Sequence, residues 1–121
     1  MELPRDALLL RIFVEEADEH DGEPLFRKIV LKARESKLAG ATVLRGPLGF
    51  GRSNRLHASS MFHLSEDLPI VIEMVDTEQK IRAFLTEIED LVGASLITLE
   101  KVQAIFYKGE SPIAARRSGR S

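Results

Sequence analysis

The residues of this chain best placed to do chemistry lie between Arg45 and Ser65, in RGPLGFGRSNRLHASSMFHLS, which gathers Gly, Arg and His and holds no acidic residue. Gly46, Gly49 and Gly51 follow the apolar run Ala41 to Leu44, so a strand is expected to feed a loop whose backbone can reach left-handed conformations. Such a loop can turn several N–H groups toward one point and set Arg45, Arg52 and Arg55 around it, which is the chemistry of holding a small anionic ligand or an anionic partner surface. Phe50 must either stack on a ligand or find apolar cover, with contact inside an oligomer as the expected role. The same residues would also serve as a solvated hairpin loop.

Other chemistries find less support. There is no cysteine, which excludes a disulfide framework, a thiolate zinc site and a cysteine nucleophile. His57 and His63 are six positions apart and His20 is remote, a spacing that matches no metal site. No nucleophile motif and no Walker lysine pattern is present, so an enzyme is not expected. Glu73 and Glu100 fall in expected strands, where they would face a subunit interface or pair with Lys101 rather than act as acid or base. A net charge of -2 argues against general nucleic-acid binding, while the basic loop leaves a small phosphorylated ligand open.

The elements that must position the loop follow from periodicity. The chain has 121 residues, 44% of them hydrophobic, enough for one core without staples. Leu8, Leu10, Ile12 and Val14 alternate with their neighbours as a strand does. Pro24 suits the first turn of a helix in which Leu25, Phe26, Ile29, Val30 and Ala33 form the apolar face. Strands are expected over Ala41–Arg45 and Pro69–Val75. Asp76 with Gln79 resembles a capping box before a helix built on Ile81, Phe84, Leu85, Ile88 and Leu91, which Gly93 ends. A last strand runs from Leu96 to Tyr107. This order predicts an α+β ferredoxin-like βαββαβ sandwich, an antiparallel sheet with two helices on one face. Residues 1–109 are expected as one domain and 110–121 as a flexible tail. No apolar run approaches the roughly 20 residues that span a bilayer, so a cytoplasmic protein is expected.

Together these features resemble the PII-like superfamily of trimeric signalling proteins, most closely its bacterial domain-of-unknown-function branch. The resemblance runs from Leu8 to Glu110 and is most specific in Ala41–Arg52, in Leu56-His57 and in Ser65–Glu73, with Asp21-Gly22 and Pro24-Leu25-Phe26 adding to it. It implies that Gly49, Phe50, Gly51 and Arg52 form the base of a T-loop whose backbone helps hold a nucleotide in the cleft between subunits. Ser53 stands where PII proteins carry a ligand-sensing glutamine. Val92-Gly93-Ala94-Ser95 offers no cation where they carry a lysine-bearing turn, and Ile105 and Tyr107 take the places of two phosphate-binding arginines, leaving Lys108.

A site so short of cations should favour fewer phosphates than ATP carries, or a different ligand. The resemblance therefore implies a homotrimer with no resident cofactor, taking a small effector, an adenine nucleotide being the candidate. Arg45, Gly49, Phe50, Gly51, Arg52 and Lys108 would bind it. Arg52, Arg55 and His57, within the loop 46–62, would meet a partner such as a membrane transporter, a channel or an enzyme. The alternative is a trimeric scaffold that docks without ligand. Cation sensing, by likeness to another ferredoxin-like trimer family, is a third reading that the histidines do not support.

Overall fold

The computed structural model describes residues 5–51, 56–58 and 67–105. In chain order the elements are β1 (Arg5–Glu15), β2 (Glu19–His20), β3 (Glu23–Pro24), α1 (Leu25–Glu35), β4 (Thr42–Arg45), β5 (Leu48–Gly49), β6 (His57–Ala58), β7 (Pro69–Asp76), α2 (Glu78–Glu87), α3 (Glu89–Val92) and β8 (Leu96–Ala104). Four of them form one antiparallel sheet in the order β4-β7-β1-β8. This is the ferredoxin-like sandwich that the periodicity predicts.

Two-residue alternation decides which face of the sheet is covered. Leu8, Leu10, Ile12 and Val14 on β1 and Ile70, Ile72 and Met74 on β7 are buried, and the register sets Ile12 beside Ile72 and Ile97. Against them α1 lays Leu25, Ile29 and Ala33, and α2 lays Ile81 and Phe84, with Ile88 and Val92 closing the end. Removing each of the Leu, Ile, Val, Met and Phe side chains from water contributes about 1.5–3 kcal/mol, which outweighs the weak intrinsic preferences of short elements.

Several boundaries differ from the sequence reading. The helix expected to run unbroken from Asp76 to Gly93 divides into α2 and α3 at Ile88. Its cap is Thr77, whose Oγ1 accepts from the Lys80 N–H at 3.3 Å, and not Asp76. The reason is strand length: β7 continues through Asp76, paired with Leu8, and strand parity turns the Asp76 side chain into the core. There it is fully buried and accepts from the Ala39 and Thr77 N–H groups at 2.8 and 2.7 Å. Pro24 is the residue before α1 rather than within its first turn, because it ends the small hairpin β2–β3, turned by Asp21 and Gly22 at φ 53 and 79°. The last strand stops at Ala104 rather than Tyr107. The expected tail lies outside the described residues.

Candidate functional site

A cleft of about 660 Å³ opens at the end of the sheet where β1 finishes and β7 and β8 begin. Its floor is Phe13, Val71 and Leu96, which the register sets side by side on three adjacent strands, on the face turned away from the helices. One wall is Phe50 and Gly51, at the end of β5. The opposite wall is Ala94 and Ser95, in the turn that leaves α3 through Gly93 at φ 51°. Glu15 and Asp18 complete the lining from the β1–β2 turn.

Close approach to Pro69 accounts for Gly46 and Gly49. β5 pairs with β6, Gly49 opposite His57, and the hairpin rests on the start of β7. A Cβ at Gly46 or Gly49 would lie 3.1 Å from the Pro69 ring, and the Gly46 N–H donates to the Pro69 carbonyl at 2.8 Å. A side chain at either position would press on the Pro69 ring, which must then give by a few tenths of an ångström. The acidic side is equally well fixed. Asp18 Oδ2 accepts the Glu15 N–H at 2.9 Å, the Asp18 N–H donates to the Glu15 carbonyl at 3.0 Å, and the Asp18 carbonyl accepts from Leu25 at 2.8 Å. The turn is held to the two residues that lead into β7 by Ala17 N–H to Asp67 Oδ1 at 2.6 Å and Glu16 N–H to the Leu68 carbonyl at 2.9 Å.

The sheet face carrying the cleft floor is unusually apolar for an uncovered surface. Leu9, Phe13, Val71, Val75 and Val102 are half-buried, and Leu44 and Leu96 are exposed. In its middle Arg11 Nε donates to Glu73 at 2.8 Å and Nη1 reaches Glu100 at 3.5 Å. The Glu73 hydrogen bond holds the Arg11 guanidinium protonated even more firmly than usual, against the opposing effect of desolvation and with the charges of Glu73 and Glu100 adding to it.

The model of the DUF190 family ("Uncharacterized ACR, COG1993") matches residues 7–104, a span that contains every element lining the cleft. The chain belongs to this family. A UPF0166 protein of Aquifex aeolicus (strain VF5) is 40% identical over 98 residues, 81% of this chain and 92% of that relative. Among solved structures, CPII from Thiomonas intermedia K12, bound to ADP and bicarbonate, aligns with a TM-score of 0.62 and 16% identity over 84% of this chain and 91% of that one. A second structure of CPII, with ADP, AMP and bicarbonate, gives 0.61 and 15% over the same shares. Likeness at that level is one of fold: this DUF190 chain has the PII-like architecture its motifs resemble.

Within the DUF190 fold the expected site residues separate. Phe50 and Gly51 line the cleft, and Gly49 supports it from β5 against Pro69. Arg45, at the end of β4, is engaged by Glu16 through Nη2 at 2.5 Å and is not part of the lining. His57 lies in β6 opposite Gly49. Arg52, Arg55 and Lys108 lie outside the described residues. Among the described residues no group of three or more His, Asp or Glu is placed to hold a metal ion, and no helix is long and apolar enough to cross a membrane. Sequence reasoning missed Glu15, Asp18 and the apolar floor. The usable signal was that the outward positions of β1, β7 and β8 are apolar as well as the inward ones.

Proposed function

We propose that this DUF190 chain is a PII-like regulatory module: a cytoplasmic homotrimer that takes a small effector in clefts between subunits and acts on a partner protein through the loop 46–62. The carrying observation is that Phe13, Val71 and Leu96 belong at once to the cleft and to the apolar outer face of the sheet. A second copy laid on that face removes apolar surface from water and closes the open side of the cleft in the same step.

An adenine nucleotide of few phosphates is the effector this reading favours. The cleft offers apolar and aromatic walls of suitable size, and the PII-like CPII is bound to ADP and AMP in its structures. Arg52 and Lys108 would supply its phosphate contacts. Binding would shift the hairpin between states only by its differential affinity for them. Leu48, Phe50 and Leu56 expose 63, 67 and 65% of their surface on the hairpin, more than a chain without a partner needs to show. The partner, a transporter, channel or enzyme, would meet them together with Arg55 and His57. The same exposure favours a second reading, a scaffold that docks without ligand.

Calorimetric titration with AMP, ADP, ATP, cyclic AMP and cyclic dinucleotides, on protein sized by light scattering, decides between them. Saturable binding that Arg52→Glu abolishes is the expected result. Silence across the panel leaves the scaffold.

A further inference from the structure

We infer that Asp18 sets which effector the cleft accepts, taking a hydrogen bond from an amino or hydroxyl donor of the ligand and turning away long phosphate chains. The inference rests on the effector site proposed above. Most of the lining is apolar, and its ionisable members among the described residues, Glu15 and Asp18, are both acidic. Arg45, the basic residue entering the hairpin, is occupied by Glu16.

Asp18 is firmly fixed as an acceptor. Its backbone is tied at N–H and carbonyl to Glu15 and Leu25, and its Oδ2 accepts from Glu15 N–H, so the carboxylate is held between the end of β1 and the start of α1. Oδ1 has no hydrogen-bond partner among the described residues. A rigid acceptor beside an apolar cavity orients a ligand that brings a donor, and a charged acceptor forms the stronger bond. The same charge repels each phosphate brought near it. The ligand class that satisfies both conditions is a nucleoside or nucleoside monophosphate, its ring against Phe13 and Phe50.

Adenosine, AMP, ADP and ATP titrated into the wild-type protein and into Asp18→Asn test this. Asparagine keeps an oxygen for the Glu15 N–H, replaces the second oxygen with a donor and removes the charge. The wild type is expected to bind adenosine and AMP more tightly than ADP, and ADP more tightly than ATP. Asp18→Asn should lose about tenfold or more for adenosine, the worth of a hydrogen bond to a charged group, and narrow the gap between AMP and ATP. Thermal melting verifies that the variant is folded; if it is not, the wild-type ranking alone decides. A wild type that prefers ATP, or a folded variant with unchanged affinities, overturns the inference and leaves the effector site standing. A wild type that binds none of the wider nucleotide panel overturns both.

Discussion

Asp76 illustrates how one residue can be ordinary in sequence and demanding in structure. Its carboxylate sits in the core and is satisfied by the Ala39 and Thr77 N–H groups, one from the connection between α1 and β4, the other from the start of α2. Asp76→Ala strands both donors, and a loss of about 2–4 kcal/mol is expected in urea unfolding, with Asp76→Asn costing less because it retains one acceptor. A loss below 1 kcal/mol, the worth of about one exposed hydrogen bond, would mean that water replaces the carboxylate. At this scale the sequence was legible only where the signal is local. Gly49, Phe50 and Gly51 announce themselves by composition. Glu15 and Asp18 do not, because a run of acids reads as a turn, and the bonds from Ala17 and Glu16 to Asp67 and Leu68 that carry them to the cleft join residues about fifty positions apart.

The elements were legible in proportion to their length. β1, β7, α1 and α2 repeat their apolar positions often enough to reveal both type and buried face. β2, β3, β5 and β6, of two residues each, have no period to read. The cap of α2 lay between them in difficulty, since Asp76 and Thr77 are both good capping residues and only the length of β7 decides which one serves. Thr77→Ala removes the side-chain acceptor for the Lys80 N–H and should cost about 1 kcal/mol in denaturant unfolding, with Thr77→Ser near wild type. Equal stability of all three would show that the cap bond is replaced by solvent.

For the molecule as a whole, the outer face of the sheet is the feature the alternation pattern conceals. A half-buried sheet should show polar residues there, and this one shows Leu9, Phe13, Leu44, Val71, Val75, Leu96 and Val102 around one ionic cluster. Leu96 is 61% exposed in the single chain, so Leu96→Glu should leave its melting unharmed as a monomer while placing charge on the face proposed to join copies of the chain. Light scattering is expected to show a trimer for the wild type and smaller species for the variant. A Leu96→Glu trimer of unchanged stability would move the contact to another surface.

The cleft is assembled from positions that the chain delivers at widely separated times. Phe13 comes from the first strand, Val71 from the third of the main sheet, and Leu96 from the strand that pairs with β1 last along the chain. Such distant pairings carry the loop-closure entropy that makes folding slow, and no partly finished chain can present the floor before they are made. An effector would therefore recognise only completed molecules, lengthening their lifetime against proteolysis without hastening their birth.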